Sequence, residues 1–222
     1  MIYKNNKNST TINIKKLRSK NKNFFFFKRL MDITGAGIGL LFLFPLFVVI
    51  GILIKMENPK GSIFFKQIRV GKNEKNFEMY KFRSMCTDAE EKLKDIIKMN
   101  EKDGAMFKMR NDPRVTKIGS FIRKTSIDEL PQLLNVLKGE MSLVGPRPPL
   151  VREFESYTDY DKQRLKITPG LTGLWQVSGK NNIGFHEMVD LDIQYISNLS
   201  FRKDIMIILK TFSVIFNEDG NY

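Results

Sequence analysis

The stretch ITGAGIGLLFLFPLFVVIGILI, residues 33–54, is a run of 22 residues without a charge. As a straight α-helix it would be about 33 Å long, enough to cross the roughly 30 Å hydrocarbon core of a bilayer. It is too long for the apolar core of a signal peptide, and no small-residue cleavage pattern follows it. A helix buried in a soluble core is the alternative, but the length favours association with a membrane.

Pro45 lies near the middle of this segment, and basic residues flank the segment on both sides. A proline inside a helix removes a backbone donor and clashes with the preceding turn, so it predicts a kink or a break. Lys28 and Arg29 precede the segment, and Lys55 and Lys60 follow it. The positive-inside bias favours a cytoplasmic location for both flanks. A single span remains open, but a re-entrant helix broken at Pro45 is favoured.

The net charge of +13 is concentrated towards the N-terminus. Residues 1–29 contain nine Lys and Arg and no acidic residue, whereas residues 56–222 contain 27 basic and 23 acidic residues. A basic leader beside an apolar segment indicates attraction to anionic membrane lipids, and a flexible, solvated leader over residues 1–23 is the alternative. The four phenylalanines at 24–27 are a candidate interfacial anchor. Nucleic-acid binding is disfavoured because no nucleic-acid motif accompanies the charge.

The composition of the remaining chain is that of a folded domain. Hydrophobic residues make up 42% and charged residues 27% of the sequence, which argues against disorder. Cys86 is the only cysteine, so an internal disulfide is excluded and a reducing compartment is the simpler interpretation. His186 is the only histidine, which disfavours a zinc site. We divide the chain into the leader 1–23, the interfacial and membrane segment 24–56, and a domain at 57–222.

Local patterns predict an α+β fold that is mostly helical. Residues 62–70 and 76–82 read as the two strands of a short β-hairpin around the turn GKNE. Helices are predicted over 87–103, 128–138, 151–166, 187–198 and 201–216. Gly139 ends the second of these helices. The stretches 145–149 (GPRPP) and 169–173 (PGLTG) are predicted to be irregular or turns.

The hexapeptide SIDELP at 126–131 is the sharpest local feature. Ser126 and Glu129 match a capping box at a helix N-terminus, where Asp128 and Glu129 would merely favour the helix dipole. The functional interpretation is that one carboxylate is a nucleophile while its neighbour holds a metal ion or positions a phosphate. Spacing alone leaves both interpretations open.

Cations that could accompany such carboxylates lie near turns and at the ends of elements. Arginine suits phosphate because its fork can bind two oxygens, although a solvated surface position is the usual alternative for any one of them. Arg147 stands out because the prolines around it restrict the backbone. The candidates are Lys81, Arg83, Arg114, Arg123, Lys124 and Arg147.

An ordered series of motifs in this chain resembles the bacterial sugar transferase family, the monotopic polyprenol-phosphate phosphoglycosyl transferases. The resemblance covers about residues 28–222 and is closest to the branch that transfers hexose phosphates. The motifs are KRLMD at 28–32, SIFFKQIRVG at 62–71, YKFRSM at 80–85, the segment 112–148 around SIDELP, PGLTGLWQVSGK at 169–180 and LDIQYISNLSFRKD at 191–204.

The resemblance implies a function. A sugar 1-phosphate would pass from a UDP-sugar to undecaprenyl or another polyprenol phosphate with release of UMP, through a covalent aspartyl intermediate. This would be the first membrane step of exopolysaccharide, capsule, O-antigen or glycoprotein glycan synthesis. The implied location is the cytoplasmic face of the bacterial inner membrane, with a re-entrant helix broken at Pro45 and a cytoplasmic catalytic domain at 57–222. The resemblance leaves a homodimer open.

The resemblance also implies roles for individual residues. Asp128 would be the nucleophile, kept ionised by the arginines nearby, and Glu129 would hold Mg²⁺, for which Mn²⁺ could substitute. The substrate-binding residues would be Lys81, Arg83, Arg123, Arg147 and Lys180.

Two positions depart from the family pattern. Phe44 stands where the family often has a serine before the proline, so the helix break must be capped differently. Lys180 stands where an arginine is common, which removes planar two-point binding at that position. A membrane-anchored binding or regulatory module with the same fold is the alternative function, and the intact pair of Asp128 and Glu129 argues against it.

Overall fold

A computed structural model describes residues 12, 17, 19, 22–96, 109, 111–179 and 183–216. The predicted leader lies almost wholly outside the described residues, as do Lys180 and the second half of the helix predicted at 87–103. Within the described part the protein is a mostly helical α+β structure with two small sheets.

A long apolar helix, α1, spans Lys22–Glu57. It is the only helix among the described residues that is long and apolar enough to cross a membrane, by length and composition alone. The α-helix continues through Pro45, so the predicted break is not seen in the helical backbone. A proline removes only one helical hydrogen bond, and Leu43, Leu46 and Phe47 around it pack against the rest of the protein.

A β-hairpin follows α1, as predicted. Strands β1 (Phe64–Val70) and β2 (Asn76–Phe82) pair antiparallel, with Phe64 opposite Phe82. The connection contains a 3₁₀ turn at Lys72–Glu74, in which Asn73 has a φ of 54°. The first strand begins two residues later than predicted, which is within the usual uncertainty of element ends.

The remaining elements are short helices and one further pair of strands. In chain order the α-helices are α2 (Ala89–Ile96), α3 (Lys117–Lys124), α4 (Gln132–Lys138), α5 (Val151–Phe154), α6 (Asp159–Lys162), α7 (Phe185–Ser197) and α8 (Phe201–Phe216). The 3₁₀ turns are Ile127–Glu129, Gln163–Lys166 and Trp175–Val177. Helix α4 ends at Gly139, whose φ of 83° is left-handed, as predicted.

The segment predicted as a turn at 169–173 contains a strand instead. Strand β4 (Gly170–Thr172) pairs in parallel with β3 (Ser142–Val144). The strand forms because glycines let the two backbones approach closely: a Cβ on Gly170 would lie 2.0 Å from the backbone nitrogen of Gly145. The glycines that predicted a turn in this segment therefore allow β3 and β4 to pack closely.

Among the described residues the core consists of three apolar clusters, and α1 contributes to two of them. Its first half packs through Ala36 on β2 and α4, and its second half packs through Ile50 and Ile54 on Phe82 and Ile122. The clusters are centred on Ala36, Phe77, Met79, Leu133, Val136 and Met141; on Val144, Ile167, Tyr195, Ile196 and Ile207; and on Ile50, Ile54, Phe82 and Ile122. The apolar helix therefore packs on the core along one face, while apolar side chains on its other face are exposed, among them Leu41, Phe42 and Phe44.

Candidate active site

Asp128 and Glu129 lie in a tight turn between α3 and α4. The predicted capping box is wrong: the side chain of Ser126 makes no capping hydrogen bond, and its φ of 57° is left-handed. Ser126 instead ends the preceding helix, because its backbone N–H donates to the carbonyl oxygen of Arg123. The 3₁₀ turn at Ile127–Glu129 then carries both acids, and α4 begins only at Gln132.

Lys81 joins the two acids. Its Nζ donates a hydrogen bond of 2.7 Å to Oε1 of Glu129 and lies 3.9 Å from Oδ2 of Asp128. The hairpin positions this lysine, because Lys81 lies in β2 opposite Phe65. Asp128 is 8% exposed, whereas 39% of the Glu129 side chain is exposed. The dyad thus combines a buried carboxylate with one that is partly exposed.

The environment separates the pKa values of the two acids. Burial raises the pKa of Asp128 to about 6; the charge of Glu129 adds to the rise, and Lys81 and Arg123 oppose it. Burial also acts to raise the pKa of Glu129, but the charge and hydrogen bond of Lys81, with the charges of Arg147 and Arg69, hold it below its ordinary value. Arg123 thus acts in the predicted direction, but burial and the charge of Glu129 outweigh it and Lys81, so the pKa of Asp128 lies above its ordinary value.

Two of the predicted arginines lie near the dyad. Arg123 is in the last turn of α3, close enough for its charge to lower the pKa of Asp128. Arg147 is in the loop 145–149, and its charge acts on Glu129. Nη1 of Arg147 lies 3.6 Å from Oε2 of the buried Glu153. The structure therefore brings together Lys81, Arg123, Arg147 and both acids.

Two other predicted cations, Arg83 and Arg114, have their contacts elsewhere in the part of the chain that the structure describes. Nη1 of Arg83 lies beside Gly61, after the end of α1, and no hydrogen bond or ion pair among the described residues joins Arg83 to either acid. Arg114 binds Asp112 in a buried ion pair. Lys180 lies outside the described residues, so its predicted contact stays a prediction.

Arg69 is a residue of the site that sequence reasoning missed. It lies in β1 and is 6% exposed, and its charge acts on both Glu129 and Arg147. The available signal was the strand alternation: Arg69 shares a strand face with Gln67 and Phe65, while Ile68 on the opposite face is exposed. Two polar residues, Gln67 and Arg69, on the less exposed face of this strand point to a polar site beneath the hairpin.

The donor set decides which metal ion the site could hold. The described residues contain no group of three His, Cys, Asp or Glu that could hold a metal ion. Glu129 and Asp128 supply hard oxygen ligands, and Mg²⁺ commonly uses one or two carboxylates together with the phosphates of a ligand. The residues present therefore fit a Mg²⁺ ion that is shared with a phosphorylated ligand.

Together, these features define an α+β protein that has a helix long and apolar enough to cross a membrane and a site suited to phosphorylated ligands. A sequence model of the family described as bacterial sugar transferase matches residues 23–218. The chain therefore belongs to the bacterial sugar transferase family.

Three relatives illustrate the range of the family. The galactosyl transferase CpsE of Streptococcus agalactiae serotype III is 55% identical over 194 residues, which are 87% of this chain and 43% of CpsE. The exopolysaccharide production protein ExoY of Rhizobium meliloti is 42% identical over 199 residues, which are 88% of this chain and 88% of ExoY. The undecaprenyl-phosphate galactose phosphotransferase of Salmonella typhimurium is 44% identical over 204 residues, 89% of this chain and 42% of that protein. The chain spans less than half the length of CpsE and of the Salmonella protein.

Proposed function

We propose that this protein transfers a sugar 1-phosphate from a UDP-sugar to a polyprenol phosphate and releases UMP. The name of the Salmonella relative supports the acceptor and the kind of group transferred. The observation that carries the proposal is the buried carboxylate of Asp128, which lies beside Glu129 and within reach of Lys81 and Arg123. A non-catalytic module has no need for a buried acid whose charged form is disfavoured by its surroundings.

The first half-reaction forms a covalent intermediate on Asp128. An oxygen of the ionised carboxylate bonds to the β-phosphorus of the UDP-sugar, and the bond to the bridging oxygen breaks, so that its electron pair leaves with UMP. With a pKa of about 6, Asp128 is mostly ionised near pH 7.5 and needs no general base. A polyprenol phosphate then takes the phosphosugar from Asp128.

The cations of the site allow an anionic nucleophile to approach a diphosphate. Lys81 lies between the two acids, the charge of Arg123 acts on Asp128, and the charge of Arg147 acts on Glu129. These fixed charges stabilise the negative charge that spreads over the phosphoryl oxygens in the transition state. When bound, Mg²⁺ or Mn²⁺ would be held by Glu129 and would neutralise further charge on the diphosphate.

We further propose that α1 is re-entrant and that the catalytic domain lies on the cytoplasmic face of the inner membrane. Contacts at the two ends of α1 support this topology. Near the start, Lys28 pairs with Asp204 of α8 at 2.7 Å. At the end, the Glu57 carboxylate accepts hydrogen bonds from the backbone nitrogens of Lys117 and Ile118 at the start of α3. Both ends of the helix thus contact one domain, which a simple span would separate.

A covalent adduct in the absence of acceptor tests the proposed function. Purified protein is incubated with Mg²⁺ and, separately, with UDP-galactose, UDP-glucose and UDP-N-acetylgalactosamine, and is then analysed by mass spectrometry. We expect one of these donors to leave a phosphosugar on a peptide containing Asp128, with release of UMP. Asp128→Asn should bind the donor and form no adduct, and Asp159→Asn, which changes an exposed carboxylate in α6, should behave as the wild type. Turnover by Asp128→Asn would exclude this mechanism.

A further inference from the structure

We propose that a diacyl phospholipid with an anionic headgroup binds between the start of α1 and the start of α8. Its acyl chain would lie in an apolar groove and its phosphate in a basic cavity beside that groove. The inference requires α1 to lie at a bilayer, but it is independent of the reaction at Asp128 and goes beyond the proposed function.

The apolar groove has a volume of about 760 Å³ and lies between the first turns of α1 and the segment that enters α8. Phe24, Phe27 and Leu30 line it on α1, and Leu199 and Phe201 line it on the opposite side. The side chains of Phe27, Leu30 and Phe201 remain exposed. The groove therefore presents apolar surface directly before the uncharged run of α1, at the level where a bilayer would begin.

The basic cavity has a volume of about 390 Å³ and adjoins the groove, because Phe24 and Leu199 line both. Lys22, Arg29 and Lys72 bring three cationic side chains to it. Among the residues that the structure describes, neither Lys22 nor Arg29 forms an ion pair. Cations beside an apolar groove match a ligand with an anionic head and an apolar chain.

The other charged residues that line the basic cavity, Lys28 and Asp32, already have partners. Lys28 pairs with Asp204 at 2.7 Å, and the Asp32 carboxylate accepts two hydrogen bonds from β3. Lys28, Asp32 and Asp204 together leave one negative charge, fewer than the positive charges of the three cations. The basic cavity therefore keeps an excess of positive charge for a ligand.

Arg29 is held in a fixed orientation at this cavity. Its Nη1 and Nη2 donate to the carbonyl oxygens of Val136 and Leu137, in the last turn of α4, at 2.7 and 2.8 Å. Both acceptors are neutral, so the charge of the guanidinium is not cancelled, and the group has further N–H donors. A guanidinium that is already ordered binds a phosphate with little further loss of entropy.

The position of the basic cavity argues for a phospholipid rather than for the polyprenol phosphate that reacts. The dyad precedes α4, whereas Arg29 binds the end of α4, about 10 Å further along the helix axis. Likewise, Lys72 lies in the turn of the hairpin, whereas Lys81 lies near the opposite end of β2. A phosphate bound here is therefore away from Asp128. Anionic phospholipids of the cytoplasmic leaflet supply both the head and the chain.

Native mass spectrometry of the full chain, released from detergent micelles, tests the site. The protein is incubated with palmitoyl-oleoyl phosphatidylglycerol or with the zwitterionic phosphatidylcholine that has the same acyl chains. We expect one phosphatidylglycerol to bind at least about tenfold more tightly than phosphatidylcholine. Equal affinities would overturn the inference. Displacement of phosphatidylglycerol by an equimolar amount of undecaprenyl phosphate would assign the site to the acceptor and would also overturn it.

Charge variants test the basic cavity. Lys22→Gln/Lys72→Gln should weaken phosphatidylglycerol binding about tenfold or more, since each lysine contributes roughly fivefold, and should leave phosphatidylcholine binding unchanged. Arg29 is kept because it also binds the end of α4. Lys60→Gln/Lys75→Gln is the matched control: it removes two exposed lysines that do not line the cavity and should change neither affinity. Equal losses in the two double variants would show attraction by general surface charge and would overturn the site.

A matched pair of phenylalanines tests the apolar groove. Phe27→Gln should weaken the binding of both lipids severalfold, because it places a polar group against the acyl chain. Phe26→Gln, which changes an exposed neighbour that does not line the groove, should leave both affinities unchanged. Unchanged binding by Phe27→Gln, or an equal loss in Phe26→Gln, would contradict an acyl chain in the groove.

Discussion

At the scale of single residues, the burial of the Asp128 carboxylate lowers the stability of the folded protein. Burial raises its pKa from 3.8 to about 6. Between about pH 4 and 6 the folded state therefore binds more protons than the unfolded state, and the free energy of unfolding falls as the pH rises. Above about pH 6 the Asp128 carboxylate is ionised, and its burial then lowers the free energy of unfolding by the full amount.

Asp128→Asn is therefore expected to stabilise the protein while it abolishes turnover. The gain in the free energy of unfolding should be on the order of 1–3 kcal/mol at pH 8 and should vanish near pH 4. Thermal unfolding of the metal-free protein in one detergent, measured from pH 4 to 8, provides the test. Asp88→Asn is the control and should give no gain at pH 8, because Lys92 lowers the pKa of Asp88 to about 2. An equal gain at both pH values would contradict the assigned cause.

Glu129 is suited to holding the metal ion rather than to attacking phosphorus, because its side chain is more exposed than that of Asp128 and its pKa is lowered. We expect activity to require Mg²⁺ or Mn²⁺ and to gain nothing from Zn²⁺, since the dyad supplies hard oxygen ligands. Glu129→Gln should raise the Mg²⁺ concentration needed for half-maximal UMP release by about tenfold or more. The measurement is a metal titration after treatment with EDTA. Full activity of the wild type in excess EDTA would refute the requirement.

The residues of the dyad could be predicted from the sequence, but their surroundings only in part. Asp128, Glu129 and Lys81 belong to short motifs, and the fold brings them together. Arg69 was missed because its burial depends on a loop that is 79 positions away in the chain and that supplies the Pro148 carbonyl. Arg83, two residues beyond Lys81, points elsewhere because its environment is the end of α1. Short sequence motifs therefore identify the acids and the candidate cations, while tertiary contacts decide which cations lie beside the acids.

At the scale of elements, the first half of α1 is attached to the domain by buried polar contacts. Lys28 pairs with Asp204 at 2.7 Å, and Asp204 also accepts a hydrogen bond of 2.8 Å from the Tyr195 hydroxyl. One turn further on, the Asp32 carboxylate accepts hydrogen bonds from the Ser142 hydroxyl and the Leu143 backbone nitrogen, both at 2.9 Å. The motif KRLMD thus connects the apolar helix to α8 and β3.

Lys28→Met should destabilise the protein by about 3–5 kcal/mol, because it leaves the buried Asp204 without a counter-ion. The double variant Lys28→Met/Asp204→Leu should recover much of this loss, since two apolar groups then replace a buried ion pair. Lys66→Met is the control, because its pairing with Glu78 is exposed and contributes little. Thermal unfolding in one detergent measures all of them. A double variant no more stable than Lys28→Met would contradict the ion-pair explanation.

Elements with a strong local period were predicted well, and elements that depend on distant pairing were not. The hairpin and the end of α4 at Gly139 follow from alternation and turn chemistry. Strand β4 was missed because three residues with two glycines nearby carry no strand signal, and the strand exists only through pairing with β3. The dyad turn was mistaken for a helix start because the Ser-x-x-Glu spacing suits both, and only the left-handed Ser126 distinguishes them.

At the scale of the whole molecule, the apolar surface is not confined to α1. Helix α8 exposes apolar side chains at a helical spacing: Phe201, Ile205, Leu209 and Phe212. Its other face is buried through Asp204 and Ile207. The fold therefore buries one face of this helix and leaves an apolar face exposed. An exposed apolar stripe of this kind suits the boundary of a bilayer.

The topology of α1 is the prediction that concerns the whole molecule. A straight helix of 36 residues would be about 54 Å long and would carry its ends to opposite sides of a membrane. Both ends nevertheless contact the same domain, through Asp204 near the start and Lys117 at the end. Basic residues also flank the apolar segment on both sides. We therefore expect the leader and the catalytic domain to face the cytoplasm together, with the middle of α1 inside the bilayer.

Single cysteines in a Cys86→Ser background test this arrangement. Asn5→Cys and Lys60→Cys should react with a membrane-impermeant maleimide in inverted inner-membrane vesicles and not in intact spheroplasts. Phe44→Cys, whose native side chain is 65% exposed beside Pro45, should be protected in both preparations because that surface lies in lipid, and should react once detergent is added. If α1 spanned the membrane, Asn5→Cys and Lys60→Cys would react in opposite preparations. If α1 lay outside the bilayer, Phe44→Cys would react without detergent. A spanning helix or a helix outside the bilayer would each exclude the re-entrant arrangement.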